Sequence, residues 1–270
     1  MSGDMSGALG PATAVGRAVV RGVEEIGFAG ALLGESVCWT LFGRARSQPV
    51  RLHAVLAQMT QIGIQALPIA TILSATIGMM LAVQSLYTLG LFGAESFAMV
   101  GIGLAVTREF APLIIGILIA GRSGSALAAR LSTMLINQEV DALRVIGISP
   151  VRFLVAPALI GMIVAVPCLT MWADIVALTA AGLIVAPALD LTLTGYFSQL
   201  LAAVSVHDLW HGLSKSAIFA ALIAVIAAVN GALARGGAEG VGRMTTRAVV
   251  QSIAAIIVTD LLFACLATVE

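Results

Sequence analysis

Along the chain, apolar residues gather into five long blocks separated by polar stretches, and the block lengths predict the elements. They run over residues 62–91, 97–120, 153–187, 210–233 and 248–269. About 20 mostly apolar residues in helical geometry cross a hydrocarbon core, so each block is read as one transmembrane helix. Pro68 is expected to kink or loosen the first. The third is long for one span and short for two; with Pro157, Pro167 and Asp174 inside it, it reads as a single tilted or kinked helix.

Two further segments carry pattern without the purity of a span. Residues 15–42 set Arg17, Arg21, Glu24, Glu25 and Glu35 among Val23, Ile26, Phe28, Leu32, Leu33, Val37 and Trp39. Three carboxylates weigh against a crossing, and the stretch reads as an amphipathic elbow lying in the membrane interface. Residues 1–14 are small and Gly-rich and are expected to be loose. After the second block, Ile136, Val140 and Leu143 recur at i, i+4 and i+7, while Gln138, Glu139, Asp141 and Arg144 fill the other faces. This predicts an amphipathic helix over about 131–146, stopped by Gly147 and Pro150, with a charged face open to a partner. Residues 188–209 read as a connection and 234–247 as a loop.

Composition agrees with the blocks: 60% of the 270 residues are hydrophobic and 10% charged, where soluble domains carry about a quarter charged. The fold class is an all-α integral membrane protein, with residues 15–270 as a single domain. Formal net charge is zero, so there is no general attraction to nucleic acid. The placement of charge says more. Apart from Arg108 and Lys215, which stand inside spans, the 14 basic residues lie before the first span, between Arg122 and Arg152, or between Arg235 and Arg247. Those segments share one side of a five-span topology. By the positive-inside rule that side is cytoplasmic, which puts the N-terminus inside and the C-terminus outside. No cleaved signal peptide is expected, because acidic as well as basic residues precede the first apolar run and no small-residue cleavage site follows. Cys38, Cys168 and Cys265 lie far apart, match no metal-ligand spacing and read as small buried residues.

Two short motifs invite catalytic readings. Gly121-Arg122-Ser123-Gly124 has the GxSG form of a rhomboid-type serine nucleophile, which needs a base within hydrogen-bond reach. His207 and His211 fall at the opposite side of the membrane, about 30 Å away, so small residues packing helices closely is the better account. His207-Asp208-Leu209-Trp210-His211 is similar to the HExxH of zinc proteases, but it has the shorter carboxylate and no obvious third ligand. A helix start capped by Ser205 or Asp208 accounts for it. No catalytic residue and no metal site is assigned. The only lysine, Lys215, follows Ser214 in a span, so no phosphate-binding loop of the GxxxxGKS/T form exists and ATP chemistry belongs to another subunit. The best functional signal is the set of ionisable residues at membrane depth, Arg108, Glu109, Asp174, Lys215 and Asp260, which are costly in hydrocarbon and should face protein or a wet cavity. Lys215 and Asp260 belong to the outer halves of their helices and are placed to pair.

Four separated motifs now matter together: REFAPL (108–113), AGRSGSALAA (120–129), QEVDALRVIGISP (138–150) and RGGAEGVGRMTTRAVVQS (235–252). In sequence and order they resemble the MlaE/YrbE family of permeases, over about residues 15–268. The resemblance implies the membrane subunit of an ABC transporter that moves phospholipid or a related lipid between the inner and outer membranes of Gram-negative bacteria. It implies a permease homodimer in the inner membrane and a periplasmic MCE-domain protein. It also implies a cytoplasmic ATPase that holds ATP and Mg and docks on the helix over 131–146, through Arg130, Glu139, Asp141 and Arg144. No cofactor is implied in this chain itself. Gln84 and Tyr87 match the family's cavity-lining first span, Arg108 and Glu109 its charged pair, and Lys215 and Asp260 its charged positions in the last two spans. Arg130 and Ser149 depart from the pattern, which usually has an acidic residue at the first and often Asp at the second. The rival is an ion-coupled secondary transporter of a hydrophobic substrate using Glu109, Asp174 and Asp260; five spans without an evident inverted repeat speak against it.

Overall fold

The structure is a computed structural model describing residues 9–42 and 52–267, and every regular element among them is helical. Helix α1 (Leu9–Phe42) comes first. The first span joins α2 (Leu52–Ile62) to α3 (Leu67–Gly90) through a 3-10 turn at Ile64–Ala66. That turn sits directly before Pro68, whose missing N–H suits the first turn of a helix. The second span is α4 (Ala98–Ala105), α5 (Ala111–Ile119) and α6 (Ser125–Ile136), joined by π-helical turns at Val106–Phe110 and Ala120–Gly124. After α7 (Glu139–Val145), a third π-turn at Val151–Val155 leads into α8 (Ala156–Ala188). The short α9 (Leu193–Ala203) precedes α10 (Val206–Ala232), and α11 (Gly237–Ala267) follows. Five helical runs, Leu52–Gly90, Glu95–Ile136, Val151–Ala188, Val206–Ala232 and Gly237–Leu266, are long and apolar enough to cross a bilayer, in agreement with the five blocks.

Several boundaries differ from the pattern. Residues 9–14 already belong to α1 where a loose tail is expected. Arg243 and Arg247, expected in a loop, stand on the early turns of α11, because polar residues sustain a helix beyond hydrocarbon depth. The 188–209 connection contains α9, capped by Thr192, whose Oγ1 accepts from the Gly195 N–H at 3.1 Å. The helix expected over 131–146 is divided. Its first part finishes α6, Gln138 adopts φ 61°, and only Glu139–Val145 forms a separate helix. A left-handed residue cannot continue the hydrogen-bond ladder, so the direction changes there. The three cysteines are exposed, not buried: Cys38 stands on the outward side of α1 beside Glu35, and Cys168 and Cys265 on outward faces of α8 and α11.

Helices α8 and α10 supply much of the interior. Contacts of Gly63 with Ala165 and of Gly78 with Ala177 advance together along the chain, so α3 runs parallel to α8. The approach is close: a Cβ on Gly78 would fall 2.1 Å from the Ala177 carbonyl oxygen. Helix α10 packs on α5, α6, α8 and α11, burying Phe219, Ile223 and Ala224. Helices α3 and α11 turn Met80, Val83, Val258 and Leu262 outward, the chemistry of a surface in hydrocarbon. Helix α1 is tied to the end that carries the basic residues. Arg247 Nη2 donates to both Glu25 oxygens at 2.8 Å, and Glu35 Oε1 accepts from the Ser149 hydroxyl at 3.0 Å and from Trp39 Nε1 at 3.1 Å. At the other end, Tyr196 of α9 donates to the Leu178 carbonyl at 3.1 Å. Burial pushes its phenol up to about 12, so it stays a donor.

Candidate functional site: an ionic chain across three spans

The site begins with Pro112. Proline lacks an N–H and its ring crowds the carbonyl four residues earlier, which here is that of Arg108. The chain takes the wide turn Val106–Phe110, in which the Ala111 N–H reaches back to the Val106 carbonyl. The Arg108 carbonyl is thereby left for another donor, and Lys215 supplies it. Lys215 Nζ donates to that carbonyl at 3.0 Å and to Glu109 Oε2 at 2.7 Å, and lies 2.6 Å from Asp260 Oδ1. The ammonium is 0% exposed, and three oxygens surround its three N–H bonds. The contact with Asp260 is an ion pair without hydrogen-bond alignment.

Arg108 turns the other way, toward the start of α10. Its Nε donates to Asp208 Oδ1 at 2.6 Å and its Nη2 pairs with the same oxygen. Asp208 is buried, and its Oδ2 accepts from the backbone N–H and the hydroxyl of Ser205, both at 2.8 Å. In return the Asp208 N–H donates to Ser205 Oγ at 3.3 Å, which completes a capping box. Consecutive residues on a helix point about 100° apart, and 108 and 109 accordingly serve different partners. Charge therefore runs from Asp208 through Arg108 and Glu109 to Lys215 and Asp260, linking the second, fourth and fifth spans. His211, one turn before Lys215, rests edge-on against Phe263 at 5.8 Å between centroids, and its Nδ1 is buried without a hydrogen-bond partner.

The pairing of Lys215 with Asp260 follows the sequence expectation. Capping by Ser205 and the ion pair with Arg108 together account for Asp208, so both oxygens of the carboxylate a zinc protease would use are engaged. The bond from Arg108 to Asp208 is not legible in the sequence, although Pro112 four residues after Arg108 marks the freed carbonyl. Asp174 stands apart from the chain of charge. It is buried in α8, its Oδ1 has no hydrogen-bond partner, and at the same level of α3 the buried Ser74 hydroxyl also has none. Gln84 and Tyr87 are exposed on α3, where Gln84 Nε2 donates to Thr88 Oγ1 at 3.4 Å. No hydrogen bond or ion pair among the described residues joins them to Arg108 or Glu109. Arg130, Glu139, Asp141 and Arg144 are exposed at the basic end, with Arg144 3.1 Å from Asp141.

Five helical runs long and apolar enough to cross a bilayer, three of them joined by buried ionic contacts, define a multi-pass membrane protein. The family described as Permease MlaE matches residues 55–266, and the chain belongs to that family. It is 34% identical over 214 residues to a probable ABC transporter permease protein of Rickettsia felis, covering 79% of this chain and 83% of that one. It is 28% identical over 244 residues to the intermembrane phospholipid transport system permease protein MlaE of Haemophilus influenzae, covering 89% and 90%. The chloroplastic protein TRIGALACTOSYLDIACYLGLYCEROL 1 of Arabidopsis thaliana is 32% identical over 205 residues, 76% of this chain and 59% of that protein.

Proposed function

We propose that the chain is the permease subunit of an ABC transporter moving phospholipid or a related lipid between inner and outer membranes. It works as a homodimer with a separate cytoplasmic ATPase and a periplasmic MCE-domain protein. The observation that carries this reading is membership of the MlaE permease family, and the name of the Haemophilus influenzae relative supplies the substrate class. In this reading the protein sits in the bacterial inner membrane, the basic end faces the cytoplasm and the C-terminus the periplasm. Helix α1 lies in the interface, consistent with its bonds to Arg247 and Ser149.

Helix α7 offers Glu139, Asp141 and Arg144, with Arg130 at the same end, to the ATPase that holds ATP and Mg. Closure of the ATPases displaces α7, and α6, continuous with the second span, carries the displacement toward Arg108 and Glu109. Acyl chains pack on the outward face of α3, where Gln84 and Tyr87 meet the headgroup. Arg108, whose side chain is 38% exposed, adds a cation. Glu109 holds Lys215 and is kept from a phosphate by like charge.

The test is ATPase activity of the co-purified complex, comparing wild type with Glu139→Lys/Arg144→Glu and recording which lipids come along. Loss of ATPase binding from a folded permease, with phospholipid bound to wild type, supports the reading. Intact assembly with unchanged ATPase activity and transport overturns α7 as the coupling element. A stable lone chain showing proton-coupled uptake would instead establish the ion-coupled alternative, which the unpartnered Asp174 favours.

A further inference from the structure

We propose that the cleft at the basic end lined by α2, the wide turn Ala120–Gly124, α6 and Met162 of α8 binds the anionic phosphate group of a lipid headgroup, separately from any transported lipid on α3. Arg122, Arg130, Gln58 and Gln61 form its polar walls and Ile62 and Met162 lie at its apolar side. Its volume is about 140 Å³, several times the space one water molecule needs.

Uncompensated charge is the main argument. Arg122 donates only to neutral acceptors, from Nη1 to the Gln61 carbonyl at 3.1 Å and from Nη2 to Gln65 Oε1 at 3.2 Å. Arg130 has no ion pair among the described residues, and none of the residues lining the cleft is acidic. Elsewhere Arg108, Arg144 and Arg247 each meet a carboxylate. Two arginines lining one partly enclosed space raise its positive potential, and an anion held there offsets it. The planar fork of arginine matches phosphate oxygens, and the glutamine amides add neutral donors.

Depth selects a lipid over a free anion. The first apolar block starts at residue 62 and the second ends at 120, so Gln58, Gln61 and Arg122 stand where hydrocarbon gives way to headgroups. Ile62 and Met162 suit the glycerol region of a lipid whose phosphate reaches the arginines. The inference stands on this cleft and its depth, whichever lipid is transported, and it assigns Arg130 to lipid binding ahead of ATPase docking.

Isothermal titration of the purified full-length protein, with the partners that co-purify, tests it using dihexanoyl phosphatidylglycerol as the probe. Arg130→Gln should weaken binding roughly tenfold, the loss expected for one charge-assisted hydrogen-bonding partner. Arg243→Gln, an exposed arginine outside the cleft, should leave it within about twofold on the same scale. On wild type, dihexanoylglycerol without phosphate should compete poorly, a comparison that holds even where a variant fails to fold. Equal affinity for the two variants, or effective competition by dihexanoylglycerol, would overturn the proposal. Displacement of the lipid by an equal concentration of inorganic phosphate would make this a free-anion site and overturn the lipid assignment.

Discussion

Gly212 of α10 lies directly against the Thr107 carbonyl in the wide turn of the second span, with a Cβ position only 2.1 Å from that oxygen. Backbone cannot swing aside as a side-chain tip does, so Gly212→Ala must push the two helices apart. Overpacking of this kind costs about 1–3 kcal/mol, and Lys215, three residues on, is drawn away from Glu109. The variant should melt below wild type in detergent and lose lipid transport. An unchanged melting temperature would show that α10 can reseat.

Lys215→Met should cost more. It leaves Glu109 and Asp260 around a buried space with no counter-ion, and breaking a buried ion pair from one side typically costs about 3–5 kcal/mol. Neutralising all three, Lys215→Met with Glu109→Gln and Asp260→Asn, should recover most of the stability without restoring transport. Thermal melts beside a lipid-transfer assay separate the two effects. Transport by the triple variant would reduce the ionic chain to scaffolding.

The bilayer imposes a length that owes nothing to packing, and for that reason five apolar blocks reveal five spans. Charge at membrane depth is equally legible, because hydrocarbon leaves Arg108, Glu109 and Lys215 no solvent to turn to. Partner choice is hidden: Arg108 finds Asp208 a hundred residues away only because α10 crosses at Gly212, which no periodicity encodes. The break at Gln138 is hidden too, since the helical polar pattern runs through it unbroken. The cysteines show a further limit, because an outward face in lipid and an inward face in protein have the same apolar signature.

Asp174→Ala should stabilise the protein by about 1 kcal/mol, the low end of the penalty for a buried polar group without a partner. Transport should persist. If uptake collapses while the fold is kept, Asp174 is an ion site and the ion-coupled reading gains.

The tether of α1 is measurable by a double-mutant cycle on Glu25 and Arg247. A partly exposed pair with two contacts at 2.8 Å should show a coupling energy of about 1 kcal/mol. Either alanine variant should expose α1 to limited proteolysis, and the exchanged pair Glu25→Arg/Arg247→Glu should restore protection. Equal protection in all forms would mean that α1 is held by its apolar face alone.

Each wide turn in the second span stores one residue more than an α-turn would hold over the same stretch. One residue corresponds to about 100° of rotation. When such an insertion migrates along a helix, the residues it passes rotate by that amount while both ends of the helix stay in place. Migration of such an insertion would change which side chains of the second span look inward without a piston stroke across the membrane, and Arg108 and Glu109 lie within the first of the two wide turns.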